Sequence, residues 1–279
     1  MTNSVQQSAR SNRAILSFCA LAFIWSWSLG YAAAHVRLSF PALSMALAIV
    51  SGFGPSMAGV TVVAAFSDRQ GMRDWLSSCF NRQVDWRWFA IAFLVPPVVM
   101  LMTLGLHISL GGVVPAPILA TQIPLAIANF GLVLLVGGPL GEEFGWRGYA
   151  MSALMARTSW RVASVIIGVV WGLWHLPLFF MIGTTQSHMP VLVFMINIVA
   201  GSVLFGWLFV RTKGSVLPAL VLHTSLNTWA GLLIIVPSAA TGRPYAIVTA
   251  LLVVIAVALL IKAGPTPPEA IRRAGSARC

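Results

Sequence analysis

Eight long apolar stretches run through the chain, at 14–34, 38–66, 88–110, 118–140, 162–183, 190–210, 214–236 and 244–261. A helix that crosses a bilayer takes about 20 mostly apolar residues, and each stretch reaches or approaches that length. Membrane β-barrel strands alternate apolar and polar residues over roughly ten positions, a pattern that these uncharged runs lack. The predicted fold class is therefore an all-α polytopic membrane protein with about eight transmembrane helices. The first stretch, with Arg10 and Arg13 before it and Ala32, Ala33 and Ala34 at its end, imitates a secretion signal. Its apolar run exceeds the roughly 7–15 residues of such a signal, so it reads as an uncleaved helix. The organisation expected is a cytoplasmic N-terminal segment over 1–13, a membrane domain over 14–262, and a disordered cytoplasmic tail over 263–279 marked by Pro265, Pro267 and Pro268.

Composition strengthens this class and charge gives it a direction. Hydrophobic residues make up 58% of the 279 and charged residues 8%, against the roughly 25% charged residues of a soluble domain. Seventeen Lys and Arg against six Asp and Glu leave a net charge of +11, but the basic residues lie between apolar runs, which argues against nucleic-acid binding. With the N-terminus placed inside, fourteen of the seventeen fall on the inner side: Arg10, Arg13, Arg69, Arg73, Arg82, Arg87, Arg157, Arg161, Arg211, Lys213, Lys262, Arg272, Arg273 and Arg278. Arg37 and Arg243 fall outside, and Arg147 sits at the foot of a span. Because cytoplasmic loops retain Lys and Arg, both termini are expected in the cytoplasm. Between Ser67 and Arg87, Trp75, Trp86 and Trp88 among charged residues suggest a helix lying in the membrane interface. The three cysteines are too few and too far apart for a disulfide framework or a C-x-x-C site.

The acids locate the chemistry. Between Asp85 and Glu269 the carboxylates are Glu142 and Glu143, in Gly-Gly-Pro-Leu-Gly-Glu-Glu-Phe-Gly-Trp-Arg. Ionisable groups at membrane depth cost several kcal/mol and mark function by default. Pro139 after Gly137 and Gly138 suits the first turn of a new helix, whose dipole favours nearby carboxylates. Glu143 and Arg147, four residues apart, have the spacing of an ion pair on one helix face, whereas Glu142 is rotated by roughly 100° and is free to point elsewhere. Two later spans offer partners. Trp171 and His175 lie one turn apart before Pro177, which can open the helix, and His223 and Asn227 share a face of the seventh stretch. One carboxylate, two histidines and an amide in spans otherwise nearly free of polar side chains suggest one polar cavity. The serine motif G-x-S-x-G and the zinc motif H-E-x-x-H are absent, and the aspartates all lie between 68 and 85, so a glutamate-centred site is what the residues support.

In this order and spacing, E-E-x-x-x-R (Glu142, Glu143, Arg147), the aromatic-to-His step (Trp171, His175) and H-x-x-x-N (His223, Asn227) resemble the CAAX-protease and bacteriocin-processing (CPBP) family, the Rce1-like or ABI intramembrane proteases. The resemblance covers residues about 120–235, and departs from the family's pattern where Trp171 stands in place of the usual Phe. It implies an eight-helix core with a cavity open toward the cytoplasm or the membrane, and a bacterial cytoplasmic membrane as location. It also implies endopeptidase cleavage near the end of a membrane-associated substrate, a class that includes prenylated or CAAX-like ones, though the family's name does not by itself imply prenylation. By that resemblance Glu142, His175, His223 and Asn227 are the catalytic set, with Glu143, Arg147 and Trp171 in support.

Two schemes remain open for the chemistry. In one, Glu142 oriented by His175 activates water while His223 and Asn227 donate to the oxyanion, with no cofactor. In the other, Glu142, His175 and His223 bind Zn²⁺ and leave a fourth position for water. A different functional class, a non-proteolytic immunity or scaffold factor or a small transporter, would use the same cavity for binding alone.

Overall fold

The computed structural model describes residues 2–113, 128–233, 235 and 242–264, with side chains from residue 12 onward. These residues contain no strand. The chain begins with α1 (Thr2–Val36), followed by α2 (Pro41–Ser51) and α3 (Gly54–Phe66). Next come α4 (Arg69–Cys79) and α5 (Trp86–Ser109), and then helical residues 128–136 as α6. The element α7 starts as Pro139–Glu143, widens into a π-helical stretch over Phe144–Met151 and closes as Ser152–Met155. Four helices complete the bundle: α8 (Trp160–Trp174), α9 (Val191–Arg211), α10 (Leu217–Leu232) and α11 (Arg243–Lys262).

The all-α, multi-pass class holds. Among the described residues five helical segments are long and apolar enough to cross a membrane, Asn12–Val36, Trp86–Ser109, Trp160–Phe180, Val191–Arg211 and Arg243–Lys262. A sixth is counted if α2 and α3, bent by 50° across Gly52 and Phe53, form one span. Two of the eight expected stretches differ. The stretch at 118–140 breaks at Gly137 and Gly138, with 114–127 outside the described residues, and the stretch at 214–236 yields only the 16 residues of α10. Apolar runs locate spans well, but glycine and proline inside a run let a span end at membrane depth where the freed backbone is covered by protein. Beyond Gly264 the expected tail also lies outside the described residues.

Local chemistry explains the ends of several elements. Asp68 caps α4 by accepting from the Gly71 amide at 2.8 Å, and Asp85 caps α5 by accepting from the Arg87 amide at 2.9 Å. A helix is therefore present in the stretch between 67 and 87, as α4, with one difference from expectation. Trp75 is buried in the core and not laid in the interface, while Trp86 is exposed at the start of α5. At Gly148 a Cβ would lie 2.9 Å from the Cys79 sulfur, so the glycine lets the end of α4 seat closely on α7, with the Trp75 indole beside it.

Close helix approach positions the site. Without a hydrophobic drive between helices in lipid, small residues set how near two backbones come. On α8, Gly168 and Gly172 form such a face: a Cβ at Gly168 would lie 2.7 Å from the Val199 Cα, and one at Gly172 would meet the Met195 sulfur at 2.5 Å. These contacts press α8 along α9, which also packs on α11, while α10 and α11 line up on α5. On the other side α3 packs against α1 and against the π-helical part of α7. The pairing of α8 with α9 fixes Trp171 and His175; that of α3 with α7 fixes the two glutamates.

Candidate active site

At Gly138 the backbone takes φ +109°, a left-handed value that a residue with a Cβ rarely adopts. That turn ends α6, and Pro139 starts α7 at its first helical position. Glu142 follows in the first turn, where the helix dipole favours its carboxylate. The carboxylate folds back toward the turn, so that a Cβ on Gly138 would sit 2.6 Å from Glu142 Oε1. Gly138→Ala is therefore expected to damage the site doubly, by backbone strain and by displacing the carboxylate. The assay is peptide turnover alongside thermal melting, with the activity loss exceeding what the drop in stability accounts for.

The π-helical stretch follows at once, an insertion of a kind often found at functional sites. It carries Arg147, whose Nη1 donates to Glu143 Oε1 at 3.0 Å, the four-residue pair expected from the spacing. The pair is deeply buried, with Glu143 at 0% and Arg147 at 1% exposure. The guanidinium lies between two aromatic faces, 4.4 Å from the Trp171 ring centre and 4.0 Å from that of Phe205. Glu143 Oε1 also accepts from His223 Nδ1 at 2.7 Å. One carboxylate oxygen thus ties α7 to α10, and the hydrogen bond fixes which imidazole nitrogen remains for other work. Among the described residues Glu143 Oε2 and Arg147 Nη2 have no hydrogen-bond partner.

Trp171 is the hub of the site. Its Nε1–H donates to Glu142 Oε2 at 2.5 Å, its face takes the Arg147 cation, and its carbonyl accepts from His175 Nδ1 at 2.8 Å. Its ring lies 5.6 Å from the His223 ring and 6.0 Å from that of His175. With Nδ1 of each histidine engaged, Nε2 is the nitrogen left available on His175 and on His223. Asn227 donates from Nδ2 to the Gly137 carbonyl at 3.3 Å, which satisfies a backbone group freed by the helix break.

These side chains border one cavity of about 1030 Å³, lined among others by Trp27, Tyr31, Glu142, Trp171, His175 and His223. Glu142 and His223 are each 5% exposed, and Asn227 lies at the rim and is exposed. All seven residues singled out from the sequence therefore belong to one connected neighbourhood, in two tiers. Glu142, His175, His223 and Asn227 line the cavity together with Trp171, while Glu143 and Arg147 lie behind it. Sequence reasoning missed three features: the direct bond from Trp171 to Glu142, the attachment of His223 to Glu143, and Phe205 as the second face over Arg147. The indole N–H of Trp171 was the available signal for the first, since Phe at that position could not donate. Among the described residues no three His, Cys, Asp or Glu side chains are gathered closely enough to hold a metal ion, so the set Glu142, His175 and His223 does not fit Zn²⁺ as arranged.

Comparison with known proteins converges on this region. Residues 124–229, which contain all seven positions, match the family described as type II CAAX prenyl endopeptidase Rce1-like. A protein named CAAX prenyl protease 2 from Methanococcus maripaludis is 24% identical over 221 residues, covering 74% of this chain and 79% of its own length. Both matches support the Rce1-like, CAAX-protease and bacteriocin-processing family for this region of a multi-pass membrane protein.

Proposed function

We propose that the protein is an intramembrane endopeptidase that hydrolyses a peptide bond of a membrane-associated substrate with water activated by Glu142. The observation that carries this reading is a single carboxylate at the wall of a large apolar cavity, its Oε2 held by Trp171, with two histidines lining the same cavity and their Nε2 atoms left free by the Nδ1 bonds. Among the described lining residues Glu142 is the sole carboxylate, and Lys and Arg do not occur there.

In this scheme Glu142 takes a proton from water through Oε1 as the oxygen attacks the scissile carbonyl carbon. His175, whose Nδ1–H is bound to the Trp171 carbonyl, accepts the water's second hydrogen at Nε2 and fixes its direction of attack. Charge on the substrate oxygen is met by the second Nδ2 hydrogen of Asn227 and by His223 through Nε2. The C–N bond then breaks, and the proton held by Glu142 passes to the departing amine. Glu143 and Arg147 touch no substrate; they hold His223 and the helix that presents Glu142. The names of the matching family and relative extend the proposal to substrates of the CAAX type carrying a prenyl anchor, which an apolar cavity suits.

Purified protein should cleave a membrane-anchored peptide, and His175→Ala should lower kcat strongly. Turnover should survive prior treatment with a strong chelator. Loss of activity on chelation that Zn²⁺ restores would instead make Glu142, His175 and His223 ligands after rearrangement. Peptide that binds and is recovered intact would favour a scaffold or immunity role.

A further inference from the structure

Glycines in membrane helices usually serve close packing, and Gly168, Gly172 and Gly206 do so here, since a Cβ at any of them would lie less than 3 Å from an atom of a neighbouring helix. Gly201 on α9 differs. It is buried, yet a Cβ there would have no neighbour within 4 Å, because it borders the cavity. Gly201 stands midway on one stripe of α9, four residues from Phe205 and four from Asn197, both of which also line the cavity. Phe205 belongs to the catalytic level, with its ring on Arg147 and 5.7 Å from that of His223. From that level α10 continues the wall with the small residues Ala230 and Gly231, and α11 adds Tyr245, Val248 and Leu252. An apolar slot between α9, α10 and α11 thus leads away from Glu142. Two polar side chains mark its end. Asn197 donates one Nδ2 hydrogen to Thr249 Oγ1 at 3.0 Å, and Thr249 donates to the Tyr245 carbonyl at 2.7 Å, which holds α9 and α11 in register there. The second Nδ2 hydrogen of Asn197 remains, and among the described residues the Tyr245 hydroxyl has no hydrogen-bond partner although Tyr245 is only 8% exposed. Buried polar groups are nearly always satisfied, so a hydroxyl left open on a cavity wall points to a ligand.

We propose, on the proteolytic reading of the cavity, that this slot takes the carboxyl-terminal segment that is cut off, with the substrate's terminal carboxylate bound by Asn197 Nδ2–H and the Tyr245 hydroxyl. Apolar walls suit a short aliphatic segment, and donors at the end of the slot suit its charged terminus. Neutral donors serve in place of Lys or Arg because a hydrogen bond to an ionised acceptor is about twice as strong as one between neutral groups. The length fits a short product. Phe205 and Asn197 lie about 12 Å apart along α9 at about 1.5 Å per residue. An extended chain covers that distance in about three to four residues, so the slot holds the short piece beyond the scissile bond and not the body of the substrate. At that separation the terminal carboxylate also stands clear of the like charge of Glu142. The absent side chain at Gly201 leaves the passage between the two ends open.

Peptide binding tests the slot without relying on turnover. The full-length Glu142→Gln protein in detergent is titrated, by fluorescence anisotropy, with a lipid-anchored peptide that ends in a free carboxylate and with the methyl ester of the same peptide. Tyr245→Phe, added to that background, removes a hydroxyl and no described hydrogen bond, so the melting temperature should not change. It should weaken the free acid about tenfold or more and the ester much less, since a hydrogen bond to a charged group is the stronger one. Asn197→Ala should show the same bias toward the acid, with the ester as the control for any loosening of α9 on α11 when the Thr249 bond goes. Gly201→Leu places a side chain in the open passage and should weaken acid and ester together without lowering the melting temperature. Equal effects of Tyr245→Phe and Asn197→Ala on acid and ester, or unchanged binding in Gly201→Leu, overturn the proposal. In the protein with Glu142 intact, acid-selective binding with no released fragment would reject proteolysis and leave the end-binding slot standing. Cleavage that Tyr245→Phe lowers equally for both peptides would reject the slot and leave proteolysis standing.

Discussion

Replacing Glu142 by glutamine should abolish peptide hydrolysis while leaving the fold intact. The amide keeps the size and shape of the carboxylate, and its Oε1 can still accept from the Trp171 indole, the bond that now measures 2.5 Å. What it loses is the ability to take a proton from water and return it to the leaving amine. Positioned acid–base catalysis contributes about 10²–10⁴-fold, so turnover should fall by at least about a hundredfold. A carboxylate 5% exposed at membrane depth is costly to hold, and a neutral replacement relieves that cost. The melting temperature of Glu142→Gln in the same detergent should therefore equal or exceed that of the wild type. Combining it with His175→Ala or His223→Ala should add little further loss, because members of one catalytic unit are not additive.

Removing the partner of Arg147 should have the opposite profile. Glu143 and Arg147 form a buried ion pair, and Glu143 also holds His223. Breaking such a pair from one side leaves an uncompensated buried charge and costs about 3–5 kcal/mol. Glu143→Gln should thus lower thermal stability clearly, and so should Arg147→Met, which strands the carboxylate and removes the cation between Trp171 and Phe205. Activity at low temperature should fall only partly in Glu143→Gln, since Glu142 and its Trp171 bond remain. The loss should appear as weaker transition-state stabilisation through a loosened His223, seen in kcat more than in KM. Double replacement of Glu143 and Arg147 by glutamine and methionine should be less destabilising than the two single changes summed, because no charge is then left alone.

Much of this arrangement could be read from the residues. The four-residue step from Glu143 to Arg147 fixed their pairing, and the single-residue offset of Glu142 fixed that it would face elsewhere, because helical rotation is local geometry. The glycines at 137 and 138 with Pro139 announced a helix break in the same way. The target of Glu142 was not legible, since it depends on how α8 rotates against α7, and that rotation is set by Gly168 and Gly172 packing on α9. For the same reason His223 could be assigned to the site but not to Glu143. Periodicity located the membrane segments, yet could not reveal that α10 has only 16 residues or that α2 and α3 bend by 50°. Trp75 was misplaced because an aromatic residue in an amphipathic helix fits an interface and a core equally well, and only the packing of α4 on α7 decides.

The most direct test of the account is product analysis after incubating the purified protein with an apolar membrane-anchored peptide in water labelled with the heavy oxygen isotope. The account predicts two fragments, with one labelled oxygen in the new carboxylate of the N-terminal one. It also predicts their disappearance in Glu142→Gln under conditions where that variant still binds the peptide and melts no lower than the wild type. Intact peptide recovered from the wild type, or undiminished labelled product from Glu142→Gln, would contradict it.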